Sequence, residues 1–327
     1  MYTKTTLSVI IVSWNVKEQL HACVQSVLKT AKGFSYEIIV VDNSSADGTR
    51  EFLERQAFPN TRIIGLSENL GFPRANNVAL REAKGDYILF LNPDTIVHER
   101  TLESCIREFS SDPRLGAVGC KILYADGSIQ YEGGRNLPHL LDLVICTPYL
   151  HMLFPRNKLF GRYLIGNWDH NSTRDVPCLL GAFMMIPARV IKSVGMLDER
   201  FFMDYEDVDY CARLGENGFS CRYLSEVSIT HFTGQSRAKS SKRLSYDSPA
   251  ALHTYFLEHG GSGKAAIART LLFVQALVRI PLVLFLAIFF RSRRFKRTPK
   301  TLLDIDYHFS QLRWCIGLLK VRESSTG

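Results

Sequence analysis

Two acidic stretches far apart in the chain carry its clearest chemistry. Asn92-Pro93-Asp94 closes the apolar run Tyr87-Ile-Leu-Phe-Leu91, and Asp204-Tyr205-Glu206-Asp207-Val208-Asp209 lies well downstream. A carboxylate at the end of a buried strand can hold a divalent cation, and such a cation offsets the charge of a diphosphate. Asp94 is the natural ligand. Asn92 can offer its carbonyl to the same ion or to a ribose, more weakly than a carboxylate would. Taken as a bare tripeptide, Asn-Pro-Asp is also a good turn. Glu206-Asp207 stands just ahead of a predicted helix. A carboxylate there can take a proton from an attacking hydroxyl while a leaving group departs from the opposite face. Asp207 is the first choice for that base and Glu206 the second, while Asp209 is expected to face solvent or cap the helix. The apolar neighbours Phe201, Phe202, Met203 and Tyr205 argue against a fully solvated acidic turn. His231 follows a short apolar strand and can add a nitrogen ligand to the ion; the alternative is a structural histidine.

Two further segments offer polar groups at strand ends. Asp42 is followed by Asn43-Ser44-Ser45-Ala46-Asp47-Gly48-Thr49. Its carboxylate can accept a hydrogen bond from a base N–H or a ribose hydroxyl. The helix-capping role then falls to Ser45 or Asp47, which leaves Asp42 for a ligand. Glu68-Asn69-Leu70-Gly71-Phe72 precedes a helix containing Asn76 and Asn77. Gly71 permits close approach of backbone to ligand, and the amides can meet phosphate or base edges. The competing reading is a turn and a cap.

The elements that must position these groups alternate. Strands are predicted over Leu7–Trp14, Tyr36–Asp42, Thr61–Leu66 and Asp86–Leu91. Helices are predicted over Val16–Lys29, Thr49–Ala57 and Gly71–Lys84. Continuous apolar strands alternating with helices imply a mostly parallel, Rossmann-like sheet covered on both faces. Ligands bind such sheets beyond the carboxyl ends of the strands, where Asp42 and Asp94 sit. Ala125-Asp126-Gly127 is a hairpin turn within a mixed stretch, and residues 135–176 read as an irregular excursion. Cys178–Pro187 is apolar again. A helix ends at Gly218, and two short strands follow at Phe219–Leu224 and Val227–Thr230. The expected division is 1–118 for nucleotide-sugar binding, 119–236 for the acceptor and catalytic half of the same domain, and 237–327 for a helical membrane-associated region.

The bulk numbers bound the partners. The 327 residues are 46% hydrophobic and 22% charged, which suits a globular protein with a sizeable core. The formal net charge is +8. Basic residues cluster at Arg237, Lys239, Lys242 and Arg243, and again at Arg291, Arg293, Arg294, Lys296, Arg297 and Lys300. Beside apolar segments such clusters suit an anionic membrane surface or a diphosphate. No nucleic-acid-binding signature accompanies them. The eight cysteines form no Cys-x-x-Cys pair, and without a secretory signal they read as reduced thiols. Leu271–Phe290 holds 15 Leu, Ile, Val or Phe in twenty residues, long enough for a hydrocarbon core of roughly 30 Å. Arg279, Gln275 and Pro281 interrupt it, and basic residues flank both sides, which disfavours a single span. A bent, re-entrant or interfacial pair of helices is preferred; a helix in an ordinary core is the alternative. Leu302, Ile305, Phe309, Leu312, Ile316 and Leu319 make an amphipathic stripe that could lie on the same membrane face or pack on the domain.

The ordered motifs together resemble family 2 glycosyltransferases, in particular rhamnosyltransferase-like members. They are Ser8-Val-Ile-Ile-Val-Ser-Trp-Asn15, Val41-Asp-Asn-Ser-Ser45, Glu68-Asn-Leu-Gly-Phe72, Leu89-Phe-Leu-Asn-Pro-Asp94, Gly181-Ala-Phe-Met-Met185 and Phe201-Phe-Met-Asp-Tyr-Glu-Asp-Val-Asp-Tyr210, covering about residues 7 to 236. The resemblance implies a GT-A fold, a nucleotide-sugar donor, a Mn²⁺ or Mg²⁺ ion and inversion at the anomeric carbon. Carried over by position, it puts Ser13, Asn15, Asp42, Asn69, Gly71, Asn76 and Asn92 at the nucleotide sugar, Asp42 on the base. It makes Asp94 and His231 metal ligands, and Asp207, with Glu206, catalytic. Asn92 stands where many relatives have Asp, which implies a weaker metal dependence, and Asn-Pro-Asp is common in rhamnosyltransferase-like members, which tilts the donor toward dTDP-rhamnose. The expected activity is transfer of a sugar to a polyprenyl-diphosphate-linked or polysaccharide acceptor. It would operate at the cytoplasmic face of the cell membrane, peripheral or re-entrant, in cell-surface glycan synthesis. The rivals are a non-catalytic, membrane-tethered nucleotide-binding module and a nucleotidyltransferase. The latter needs a Gly-rich basic loop where this chain has Ser13-Trp14-Asn15-Val16.

Overall fold

Runs of Val, Ile and Leu too continuous for one-sided strands build the centre of the computed structural model, which describes residues 5–233, 247–289 and 305–318. β1 (Leu7–Ser13), β2 (Tyr36–Asp42), β3 (Thr61–Gly65) and β4 (Tyr87–Leu91) are parallel. The crossovers are α1 (Lys17–Thr30), α2 (Thr49–Gln56) and α3 (Phe72–Leu80). Every residue of β1 is buried, as coverage of both sheet faces requires. β1 lies between β2 and β4, with Ser13 opposite Asp42 and Ile11 opposite Leu91. The carboxyl ends of three adjacent strands therefore open on one edge.

The rest of the sheet departs from strict parallel order. It uses β5 (Thr95–Val97), β6 (Leu115–Leu123), β8 (Arg174–Val176), β10 (Phe183–Pro187) and β11 (Ser220–His231), while β7 (Gly134–Arg135) and β9 (Cys178–Leu179) pair apart from it. The order is β3-β2-β1-β4-β10-β6-β11-β5, with β8 on β11. β10 runs antiparallel to β4 and β6, β11 is parallel to β6, and β5 is antiparallel to β11. The remaining helices are α4 (Thr101–Glu108), α5 (Leu140–Cys146), α6 (Leu150–Leu153), α7 (Ala188–Val194), α8 (Glu206–Glu216), α9 (Asp247–Phe289) and α10 (Ile305–Cys315). All eight cysteines are free thiols.

Several expectations need correction. The two strands expected at 219–224 and 227–230 are one strand, β11, with a register shift between Leu224 and Ser228. A bulge lets the chain insert extra residues without ending the strand. The helix after Gly71 stops at Leu80, because Arg81 to Lys84 turn back toward β4. The excursion over 135–176 is not wholly irregular and contains α5, α6 and β8.

Two compact units emerge. The first comprises Met1–Leu137, Trp168–Phe202 and Glu206–Lys239; the second comprises Pro138–Asn167, Met203–Tyr205 and Ser240–Gly327. The second is helical. α9 breaks at Gly261, whose φ of 75° and ψ of 173° no helix accommodates. Its inner stripe, Ala265, Ala268, Leu272, Ala276, Arg279 and Val283, recurs at helical spacing and is buried. Polar groups pin that stripe. Gln311 Nε2 donates to the Leu272 carbonyl at 2.7 Å, and Arg269 Nε to the Cys315 carbonyl at 2.9 Å. Arg279 donates to the carbonyls of Cys146 and Thr147 at 2.5 and 3.3 Å, and its guanidinium lies 4.5 Å from the Tyr149 ring centroid. In α10 the stripe through Ile305, Phe309, Leu312 and Ile316 is not the packed face. His308, Gln311, Trp314 and Cys315 are buried instead, while Phe309 and Ile316 are exposed. Leu302, Leu319 and both basic clusters, 237–243 and 291–300, lie outside the described residues.

Candidate active site

Asn92 and Asp94 follow β4 directly, so the strand aims both at the carboxyl edge. Asp94 is buried, and its Oδ1 lies 3.3 Å from His231 Nε2. His231 is delivered by the last residue of β11, which pairs with Thr95 of β5. Its Nδ1 sits 3.1 Å from Gln130 Oε1, and Gln130 Nε2 donates to the His231 carbonyl at 2.8 Å. In the tautomer that donates Nδ1–H to the amide oxygen, Nε2 is the nitrogen left to act as a ligand beside Asp94. Asn92 Nδ2 is 3.4 Å from the same Nε2.

This donor set suits a divalent cation. The 3.3 Å contact brings one carboxylate oxygen and one imidazole nitrogen together, a donor pair that divalent cations accept. The amide partner on Nδ1 is the usual way a ligating imidazole is oriented. No group of three or more His, Cys, Asp or Glu gathers around a common point among the described residues. An ion here would draw its other ligands from diphosphate oxygens and water, as Mg²⁺ commonly does.

Asp207 begins α8 as its second residue and is buried. Its Oδ2 accepts from Arg135 Nη2 at 2.9 Å and from the Gly181 N–H at 2.8 Å; its Oδ1 accepts from the Val208 N–H at 2.8 Å. Oδ2 is thus saturated by a cation and an amide, and Oδ1 keeps capacity for one more donor. Glu206 is buried beside it. Asp209 does not face solvent: it is buried and paired with Arg213 at 2.8 Å. Asp204 and Tyr205, just ahead of α8, both have left-handed φ values of 70° and 66°. Such backbone is tolerated where surroundings enforce it.

One short segment links the two acidic sites. The Asn92 N–H donates to the Ala182 carbonyl at 3.0 Å, while the neighbouring Gly181 N–H holds Asp207. A second segment does the same from another side, since Gln130 braces His231 and Arg135 grips Asp207. Sequence reasoning missed Gln130 and Arg135 altogether. A lone Gln after a turn carries no signal, and Gly133-Gly134-Arg135 offered only an isolated cation. Gly181 stood within a quoted motif, but its N–H had no assigned task.

The residues expected at the nucleotide fall into two groups. Ser13 Oγ, Asp42 Oδ1 and Asn76 Oδ1 are buried and make no hydrogen bond among the described residues. Buried polar atoms of this kind call for a ligand or water. Asp42 is 3% exposed, and burial pushes its carboxyl above the ordinary range, against the lowering effect of Ser45. It is not wholly unengaged, because Oδ2 accepts from the Ser45 N–H at 3.4 Å. Asp47 accepts from the Thr49 N–H at 3.2 Å just before α2, whose N-cap residue is Gly48 rather than Ser45 or Asp47.

The second group is committed to shaping loops. Asn15, with φ 55°, accepts from the Ala46 N–H at 2.7 Å. Asn69 Oδ1 accepts from the Gly71 N–H at 2.9 Å and Asn43 Nδ2 at 3.0 Å. Gly71 has φ 83°, and a Cβ there would stand 2.6 Å from the Phe202 carbonyl oxygen, so Phe202 is the group that approaches it. Asn77 ties α3 to the Leu197 carbonyl at 2.8 Å and to Glu199 at 3.0 Å.

Residues 8–178 match the family described as glycosyl transferase family 2. The chain is 30% identical over 216 residues to N-acetylglucosaminyl-diphospho-decaprenol L-rhamnosyltransferase of Mycobacterium tuberculosis (strain ATCC 25618 / H37Rv), covering 62% of this chain and 68% of that one. It is 25% identical over 206 residues to rhamnosyltransferase WbbL of Escherichia coli (strain K12), covering 60% and 73%. Its fold is similar to that of mannosyltransferase PcManGT from Pyrobaculum calidifontis, solved in complex with GDP-Man and Mn²⁺. The TM-score is 0.56 at 14% identity, over 98% of this chain and 89% of the other, a likeness of GT-A fold alone.

Proposed function

Since the chain belongs to glycosyl transferase family 2, we propose that it is an inverting transferase acting in cell-surface glycan synthesis. It moves a sugar from a nucleotide donor to a polyprenyl-diphosphate-linked or polysaccharide acceptor. Rhamnose from dTDP-rhamnose is the best match, supported by relatives whose names specify rhamnosyl transfer. The reading places the protein on the cytoplasmic face of the cell membrane. The observation that carries it is the Gly181-Ala182 segment, which hydrogen-bonds the Asn92–Asp94 end of β4 on one side and Asp207 on the other.

The proposed roles follow from the geometry. Ser13 and Asp42, adjacent at the ends of β1 and β2, present buried acceptors to the nucleoside. Asp94 and His231 would hold a divalent cation, which would offset the charge of the diphosphate. Asp207 takes the proton from the acceptor hydroxyl through Oδ1. The hydroxyl oxygen bonds to the anomeric carbon as the bond from that carbon to the diphosphate breaks, and the diphosphate leaves with the electron pair. Arg135 and Gly181 fix the carboxylate plane by occupying Oδ2. A general base contributes roughly 10²–10⁴-fold. Asp207→Asn is therefore expected to cut transfer by about that factor while leaving the nucleotide-induced thermal shift in place. Retained turnover would remove Asp207 from the role, and Glu206→Gln would then be the next variant to assay.

A further inference from the structure

Exposed apolar side chains concentrate in the second unit. Its longest helix has two unlike faces: the inner stripe through Leu272, Ala276 and Arg279 is buried, whereas Val274, Leu277, Val278 and Phe285 are exposed at helical spacing. On α10, Phe309 (41% exposed) and Ile316 (55%) also face outward. In water this arrangement leaves apolar surface uncovered on adjoining helices, which marks an interaction surface.

Charge selects the occupant. The second unit contains 17 Lys and Arg against 7 Asp and Glu, a net +10 within a chain of net +8. Two copies meeting through this unit would repel, whereas an anionic lipid surface attracts it.

The polar pins select the orientation. Arg279 stands in the middle of the apolar run, and its guanidinium binds the carbonyls of Cys146 and Thr147 at the end of α5. If the run crossed a bilayer, a helix terminus and the turn after it would sit near mid-membrane. Backbone ends of this kind do not occur in hydrocarbon where they are exposed to lipid. α5 has 7 residues and α10 has 11, too short to cross a core of roughly 30 Å at ~1.5 Å per residue.

We propose that the exposed face of α9, with Phe309 and Ile316 of α10, docks in the plane of an anionic lipid bilayer and that α9 does not cross it. This rests on the reading of the acceptor as lipid-linked and specifies which surface meets the membrane. The test uses the full chain in flotation with sealed phosphatidylcholine vesicles, with and without phosphatidylglycerol. Wild type is expected to float with the anionic vesicles. The double variant Leu277→Glu/Val278→Glu is expected to lower the bound fraction at least tenfold while keeping its nucleotide-induced thermal shift. If that variant loses the shift, Phe309→Glu supplies the same reading from the other helix. Unchanged flotation of a folded variant overturns the proposal. So does a wild-type dimer without lipid that the variant dissolves, since a second copy would then cover the face. Orientation is read with a membrane-impermeant maleimide as the labelling that Ser262→Cys and Ser310→Cys each gain over the wild-type chain with its own free thiols. Both should react on intact vesicles; protection of one until detergent is added overturns in-plane docking. Transfer to a detergent-soluble acceptor analogue, assayed in parallel, separates this from the functional reading: no turnover with normal flotation sinks the transferase proposal alone.

Discussion

The two units solve opposite problems with the same twenty residue types. In the first, apolar strands are buried on both faces, and the charges almost cancel, with 23 Lys and Arg against 25 Asp and Glu. One set of its buried polar groups is gathered at one edge: Asp94 on His231, Asp207 on Arg135, Gln130 behind His231. In the second unit the pattern is partly inverted. Arg279, Gln275, His308 and Gln311 are buried, while Leu, Val, Ile and Phe face outward. Burying a cation is costly; among the described residues Arg279 has no carboxylate partner, and carbonyls at a helix end and the face of Tyr149 compensate. Burial still opposes the charge on Arg279 and draws its pKa down. The difference teaches that buried polarity serves the proposed chemistry in one unit and internal cohesion in the other.

Removing the cohesion should tell the units apart most strongly after loss of the base. Arg279→Met keeps the stem but strips the donors from the Cys146 and Thr147 carbonyls. Hydrogen bonds from a charged group contribute about 1.5–3 kcal/mol, so the second unit is expected to lose roughly that much. Limited proteolysis should cut within 138–167 or 247–289 first, with nucleotide binding preserved. Nucleotide binding lost in proportion would mean the units unfold as one, and the comparison would fail.

A middle-sized effect probes the first unit. Gln130 has no proposed substrate contact; its amide braces His231 and also donates to the Leu123 carbonyl at 3.3 Å. Loss of such an outer partner typically weakens metal binding about 10–100-fold. Gln130→Leu should therefore weaken Mn²⁺ affinity, measured by titration in the presence of nucleotide, without changing metal-free nucleotide affinity. Equal metal affinity in wild type and variant would mean the Gln130–His231 contact is only structural.

How much of this was legible depended on whether position followed from local pattern. The β1–β4 alternation was readable because each buried strand is a continuous apolar run, and Asp42 and Asp94 at strand ends came with it. The antiparallel insertion of β10 between β4 and β6 was not, since pairing partners far apart in sequence leave no periodic trace. For the same reason Gln130 and Arg135 were invisible: each gains its meaning from a residue 101 or 72 positions away. Asp209 was misplaced because an acidic residue in a helix's first turn reads as solvated unless its Arg213 partner and its burial are known. The amphipathic stripe of α10 was identified by period but assigned no side. Period reports that a helix has two faces, not which one the protein covers.

The smallest predicted effect tests whether the first unit gives up stability for its site. Asp42 Oδ1 is buried without a hydrogen bond among the described residues, and desolvation raises the carboxyl's pKa above its ordinary 3.8. The folded state thus binds this proton more tightly than the unfolded chain does. At neutral pH the ionised group costs stability; that cost shrinks as pH falls through the raised folded value and is gone below the unfolded one. Asp42→Asn removes the charge in the same shape, so the variant should melt slightly higher than wild type at pH 7. The gap should close as the medium is acidified toward the carboxylate range. Nucleotide affinity should move the other way. Loss of one acceptor aimed at a base N–H costs about 1 kcal/mol, or ~5-fold. Wild-type affinity should itself decline on acidification before an ordinary carboxylate would protonate, and the variant should lack that decline. A variant that binds nucleotide as wild type does, with the same pH profile, would make Asp42 a loop-forming residue like Asn69, and of the residues expected at the nucleotide Ser13 and Asn76 alone would keep buried oxygens in want of a ligand.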